Sequence, residues 1–218
     1  MTEIDRRVEG NLLYELSEEG GVYQVRADGR SLFSTVRRGE PSLAELAIAP
    51  WEGRNDVSVL LGGLGAGFTL RAILDRPEVA RVDVVEVSST VVDWHRKYFA
   101  AASGHPADDP RVVVHNAELG EFLRGAKQKG WFVALVDLDE WPEALSRPEN
   151  VEHYHAEGLE LFAQSMRGDG VLLIWTTRRD DELEARMQAR FGGVARVAIP
   201  VDVGETSRLD YVYRARRK

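Results

Sequence analysis

The chain reads as an α/β fold: a doubly wound parallel sheet with antiparallel edge strands, preceded by a small β-rich element. Three observations predict it. From Val57 onward, strand-like and helix-like segments alternate, as right-handed βαβ units require. The runs Val57-Ser58-Val59-Leu60-Leu61 and Val133-Ala134-Leu135-Val136 are almost wholly apolar, the pattern of strands covered on both faces. Near the C-terminus, Val194–Pro200 and Leu209–Arg214 read as strands with no helix between them, which makes them an antiparallel pair at the sheet edge. The change of pattern divides the chain into an N-terminal element over 1–50 and an α/β domain over 51–218.

The N-terminal element rests on three short β-like runs, Leu12–Leu16, Val22–Val25 and Ser31–Ser34. Glu19-Gly20-Gly21 and Ala27-Asp28-Gly29-Arg30 separate them, and Asp-Gly between strand-like runs is a strong hairpin signal. A short helix is expected from Pro41, since Pro suits a first helical turn and Leu43, Leu46 and Ala47 share one face. In the α/β domain, strands are expected at Val57–Leu61, Arg81–Glu86, Arg111–His115, Phe132–Asp137 and Val171–Thr176. Helices are expected at Phe68–Leu74, Ser89–Ala101, Leu119–Lys127 and Val151–Met166. A further helix over Asp180–Arg190 has Asp180 or Asp181 as its cap.

Composition narrows the function. With 44% apolar and 29% charged residues in 218, the chain can bury a full core without staples. Lys plus Arg is 28 and Asp plus Glu is 36, and the net charge of −8 argues against a general nucleic-acid or membrane-surface partner. The one basic cluster, Arg214, Arg216, Arg217 and Lys218, reads as a solvated tail. Absence of cysteine removes disulfides, thiol nucleophiles and cysteine-ligated metals. No apolar stretch resembles a secretory leader or a membrane helix, so a cytoplasmic location is expected.

The most informative segment is Leu60-Leu61-Gly62-Gly63-Leu64-Gly65-Ala66-Gly67-Phe68, which follows an apolar strand and opens a helix. Glycines there let the backbone turn tightly and approach a ligand, while the helix N-terminus points donors at it. Glu86, at the end of the next strand, is placed to accept hydrogen bonds from a ribose diol. A dinucleotide site wants G-x-G-x-x-G; here Gly63, Gly65 and Gly67 alternate, the spacing common in S-adenosylmethionine sites. A tight strand-to-helix turn with no ligand would use the same glycines. Asp137 ends the fourth strand of the domain, and ligands of open α/β sheets bind outside strand carboxyl ends where the strand order reverses. The first and fourth strands should meet there, so Asp137 should face the glycine loop. It could orient an amine or take a proton from it, or simply cap its loop.

Together Val59–Gly67, Val84-Val85-Glu86-Val87, Asp109-Pro110-Arg111-Val112, Glu121-Phe122-Leu123 and Val136-Asp137 resemble, in order and spacing, the spermidine synthases (polyamine aminopropyltransferases). Arg96-Lys97-Tyr98-Phe99 resembles the basic-aromatic end of that family's second helix, and Ala27-Asp28-Gly29 the hairpin of its small N-terminal domain. The resemblance implies a Rossmann-like, methyltransferase-type sheet and a homodimer. It implies S-adenosylmethionine or its decarboxylated form as co-substrate, a small amine as acceptor, and no metal. On it, Gly63, Gly65 and Gly67 would line the methionine-derived part of the ligand. Glu86, with Val87 beside it, would hold the ribose, Glu118 would lie near the adenine, and Asp137 would help deprotonate the attacking amine. Asp139, Glu140 and Pro142 surround the position of the family's displaced second loop acid, with Trp141 inserted; Asp139, Glu140 and Trp141 would meet the acceptor, though Trp141 could simply cover the loop.

This sequence also departs from the family's pattern. Its Gly62–Gly67 loop lacks the acid that engages the cofactor's amine end. Leu43-Ala44 stands where a Tyr-His pair helps bind polyamine, and Leu32 where a glutamine follows the hairpin. Lost acids weaken a polycationic substrate, so the nucleoside half of the site is kept and the amine half altered. Methyl transfer on the same scaffold and a binding module without chemistry are the alternatives. His153-Tyr154-His155 carries no metal reading, because residues two apart on a helix face different ways and no acid cluster completes a ligand set. His95 and His105 have no assignable partner, and Trp131 and Phe132 are read as core or sheet-edge packing.

Overall fold

The computed structural model describes residues 1–36, 39–126, 130–138, 150–203 and 206–218. The first sheet is a four-stranded antiparallel meander in the order β1 (Thr2–Glu9), β2 (Leu12–Glu19), β3 (Val22–Ala27) and β4 (Arg30–Ser34). Its last hairpin turns on Asp28 and Gly29 with φ of +48° and +76°, the doubly left-handed geometry that favours Asp-Gly. The Asp28 carboxylate also accepts from Leu13 N–H at 2.9 Å, tying the turn to β2. The first strand was not expected from sequence. Its TEIDRRVE run alternates only between exposed and half-buried positions, because β1 is a sheet edge with no buried face to impose an apolar pattern.

The second sheet has seven strands among the described residues, in the order β10-β11-β9-β8-β5-β6-β7. Its parallel members are β5 (Val57–Gly62), β6 (Val79–Glu86), β7 (Val112–Asn116), β8 (Trp131–Val136) and β9 (Met166–Thr176). Then β10 (Gly192–Val203) and β11 (Thr206–Arg216) run antiparallel, with β11 inserted between β9 and β10. The expected edge pair is therefore present, but the strand later in sequence is the inner one. Every residue of β8 is buried, as its apolar sequence demanded.

The helices are α1 (Glu40–Ile48), α2 (Phe68–Leu74), α3 (Ser89–Trp94), α4 (Ala100–Ser103), α5 (Leu119–Gly125), α6 (Val151–Tyr154), α7 (Ala156–Ser165) and α8 (Asp181–Arg190). Leu43, Ala44, Ala47 and Ile48 of α1 join the core of the large sheet with Val57, Leu61, Leu135 and Leu173. The expected cap of α8 is Asp180, whose carboxylate accepts from Leu183 N–H at 2.8 Å.

Three expectations need correction. The helix expected over Ser89–Ala101 is interrupted by a π-helical turn at His95–Phe99. The helix expected over Val151–Met166 breaks at His155, whose backbone is extended (φ −90°, ψ 171°), and Met166 already belongs to β9. Gly158 explains that corner: a Cβ there would overlap the Glu152 carbonyl oxygen, so only glycine lets α7 pack against the end of α6. The basic C-terminal cluster is not a solvated tail. Arg214 and Arg216 lie in β11, Arg217 N–H bonds Gly170 O at 2.8 Å, and its guanidinium reaches the Met166 carbonyl.

The small sheet docks on α3 and the π turn. Tyr14, Leu16, Val25 and Ala27 pack with Val91, Trp94 and Phe99, and Phe33 meets Phe99 edge-on at 5.6 Å. A polar clamp accompanies this contact. The Glu9 carboxylate accepts from Ser88 Oγ (2.6 Å), Ser89 N–H (2.8 Å), Ser89 Oγ (3.0 Å) and Thr90 N–H (3.3 Å), covering the open end of α3. Burial opposes ionisation of Glu9, but these bonds outweigh it and hold the carboxyl below its ordinary pKa. Asp5 accepts from the Trp94 indole at 2.8 Å, and Arg7 pairs with Asp93 at 3.0 Å.

Candidate functional site

Strand order reverses between β5 and β8, whose register pairs Gly62 with Val136. The loop after β5 and the residue after β8 therefore leave the sheet side by side. Asp137 N–H donates to Gly62 O at 3.0 Å, and the Asp137 carbonyl lies against Gly63. Gly63 has φ +94°, and a Cβ there would overlap that carbonyl oxygen. The glycine is thus needed both for its backbone angle and for the close approach of the two loops.

Gly65 (φ +47°) and Gly67 (φ +87°) complete the turn, and Gly67 precedes the first residue of α2. Glu86 holds the loop from the neighbouring strand, its two carboxylate oxygens accepting from Leu64 N–H (3.1 Å) and Ser88 N–H (2.9 Å). Beneath the loop lies His95, wholly buried, with Cε1 where a Gly67 side chain would begin. Burial lowers its pKa and keeps the ring neutral, although the Gly65 backbone and the Asp108 charge favour the protonated form. Neither ring nitrogen makes a hydrogen bond of normal geometry. Sequence reasoning assigned His95 nothing. Its place follows from the π turn, and π turns recur at functional sites.

One cleft joins these groups. Its floor is Gly63–Thr69, Glu86–Ser88 and Asp137; the small sheet supplies Tyr14, Leu32, Phe33 and Ser34 as one wall. Glu40, Trp175, Thr177, Arg208 and Asp210 line the same cleft. Asp137 is oriented by the Thr69 hydroxyl, which donates to Oδ2 at 2.7 Å. Five of the expected residues for the adenosyl ligand and Asp137 thus share one cavity: Gly63, Gly65, Gly67, Glu86 and Val87 all line it.

Glu118 does not join them. It caps α5, accepting from Gly120 N–H (2.8 Å) and Glu121 N–H (2.6 Å), and faces His153 Nε2 at 3.2 Å. Asp139, Glu140 and Trp141 lie outside the described residues. Trp131 and Phe132 are buried as expected, the Trp131 indole donating to Asp83 at 3.0 Å. Sequence reasoning missed Thr69, Glu40, Trp175, Arg208 and Asp210; only Thr69, in the first turn after the glycines, carried a positional signal.

Residues 43–187 match the model of the spermine/spermidine synthase domain. Putrescine N-methyltransferase 1 of Nicotiana tabacum is 35% identical over 82 residues, which is 38% of this chain and 21% of that protein. Spermine synthase of Arabidopsis thaliana is 36% identical over 81 residues, 37% of this chain and 22% of that protein. The matched stretch thus spans about a fifth of the length of those curated relatives. A crystal structure of spermidine synthase with the transition-state analogue AdoDATO superposes over 100% of this chain and 73% of its own. Its TM-score is 0.77 at 21% identity, which establishes a shared fold. Human methyltransferase-like protein 13 in complex with SAH superposes over 80% of this chain and 81% of its own, with a TM-score of 0.62 at 18% identity.

Proposed function

This chain belongs to the spermine/spermidine synthase family, and from that premise we propose that its cleft binds S-adenosylmethionine or the decarboxylated form and, from the decarboxylated form, passes an aminopropyl group to a small amine. The observation that carries the proposal is the meeting of the glycine loop, Glu86 and Asp137 in one cavity at the strand-order reversal. The cradle suits such a ligand: the loop presents backbone rather than side chains, and Glu86 stands where a ribose diol would be held. Gly63, Gly65 and Gly67 then line the methionine-derived part, with Val87 beside the nucleoside.

The transfer is a single displacement. The amine nitrogen attacks the carbon bound to the sulfonium, the new N–C bond forms as the C–S bond breaks, and a neutral thioether leaves. An alkylamine with a pKa near 10.4 arrives protonated, so the site must first accept one proton. Asp137, held by Thr69, is the group positioned to take it directly or through water. Methyl transfer is the second reading, supported by the putrescine N-methyltransferases among the relatives.

Titration calorimetry with S-adenosylmethionine, its decarboxylated form and NAD tests the reading, followed by mass spectrometry of products from an amine panel. Binding of a sulfonium compound with aminopropyl transfer is the expected result. Preference for intact S-adenosylmethionine with methylated products selects the second reading. Binding of NAD alone refutes both.

A further inference from the structure

We infer that Arg208 sets the acceptor preference of this cleft: it fills the place of a second ammonium, so that the site takes a primary monoamine rather than a diamine. The inference rests on the amine-acceptor reading above. Asp210 lies on β11, only 1% exposed, and lines the cleft together with Arg208 and Trp175. Its carboxylate accepts from Arg208 Nε at 2.7 Å and Nη2 at 3.5 Å, and from the Trp175 indole N–H at 3.1 Å. A buried acid facing an amine site would ordinarily draw a cationic group of the substrate. Here the chain supplies the cation itself.

The register gives the distance its meaning. Val136 pairs with Ile174, so Asp137, the residue after β8, is level with Trp175 near the end of β9. Trp175 pairs with Val212 on β11, and Asp210, two residues before Val212, shares its face. Asp137 and Asp210 therefore stand two strand spacings apart and two residues offset along the strands, roughly 12 Å between their backbones. That is the separation at which two acids would hold both ends of a short extended diamine such as putrescine, the compound named in the matched methyltransferases. With Arg208 on Asp210, a second ammonium arriving there meets a guanidinium, and juxtaposed like charges oppose binding. An arginine cannot shed its proton to relieve this. Its side chain is 35% exposed, so the guanidinium borders the cleft rather than lying beneath it.

The test titrates the chain with 1-aminobutane, 1,4-diaminobutane and 4-aminobutanoate, each with and without bound methylthioadenosine. Wild type should bind 1-aminobutane about ten-fold or more tightly than 1,4-diaminobutane. Arg208→Lys should keep that order, and Arg208→Gln should reverse it by exposing Asp210 to the second ammonium. Where Arg208→Gln fails to fold, the Arg208→Gln/Asp210→Asn pair removes both charges and should bind the two amines within a few-fold of each other. A wild-type preference for the diamine overturns the inference, as does a preference unchanged in these variants. Arg208-dependent selection of 4-aminobutanoate also overturns it, since Arg208 would then bind substrate. Failure of methylthioadenosine itself to bind counts against the proposed function instead, and the titrations without it still decide the role of Arg208.

Discussion

Gly63→Ala isolates the contact that joins the glycine loop to Asp137. The substitution forces a side chain onto a backbone at φ +94°, where a left-handed conformation costs roughly 1–2 kcal/mol. It also drives a methyl into the Asp137 carbonyl, whose carbon lies 3.3 Å from the new Cβ, and overpacking of this kind adds about 1–3 kcal/mol. Gly65→Ala is the control: φ is +47°, and the nearest atoms, on Phe33, are 3.9 Å away, so only the backbone cost of roughly 1–2 kcal/mol applies. In a domain of this size 1 kcal/mol shifts the melting temperature by about 2–4 °C, so Gly63→Ala should melt about 2–12 °C below Gly65→Ala. Circular dichroism melts, with urea titrations as a second measure, read this directly. The relief of the clash moves Asp137, so Gly63→Ala should also lose more transfer than ligand affinity. Equal melting temperatures for the two variants would show that the Asp137 carbonyl yields freely and that the close approach constrains nothing.

Gly67→Ala should be destabilising because its methyl would overlap the His95 ring and lie 2.9 Å from Ser103 Oγ. Adding His95→Ala should recover part of that loss, and strictly additive effects in the double-mutant cycle would show that the ring and the loop are uncoupled. Asp137→Asn should bind the adenosyl ligand within a few-fold of wild type while transfer falls by about 10²–10⁴-fold; equal loss of binding would recast Asp137 as a ligand-holding residue. Glu9 has a lowered pKa in the fold, so its charge stabilises above the unfolded carboxyl value of about 4.3 and this is lost as pH falls through the folded value. The stability gap between wild type and Glu9→Gln in urea titrations should therefore shrink from pH 7 to pH 3, and a gap independent of pH would assign the clamp no charge component.

What the sequence disclosed tracks how local each cause is. Asp28-Gly29 and Gly63, Gly65 and Gly67 announce themselves because positive φ is a demand on one residue, met by few side chains. Asp180, one of two candidate caps, was legible because a helix N-terminus likewise asks one local side chain to accept from its open N–H groups. The alternating segments and the wholly buried β8 made the sheet readable. The edge strand β1 was hidden because no buried face marked it. The break at His155 depends on how α7 meets α6, and the π turn places His95 under a loop nearly thirty residues earlier, so neither leaves a periodic trace. Arg208 and Asp210, two apart on a strand, look like solvated surface until β11 is seen to lie beside β9. Glu9 was hidden for the same reason, since its partners are some eighty residues away.

Much of the cleft's lining lies outside the stretch that carries the family likeness. Residues 43–187 hold the glycine loop, Glu86 and Asp137, whereas Tyr14 and Phe33 come before them and Arg208 and Asp210 after. On the proposed reading, the residues of the transfer and the residue that selects the acceptor, Arg208, would thus be written on separate stretches of chain. A lineage can hold the first constant while the second drifts, because a substitution on β4 or β11 reshapes the acceptor's surroundings without disturbing the turn at Gly63. Two proteins alike across the shared stretch can in this way come to serve different amines, and the flanking strands are where such a divergence would be inherited.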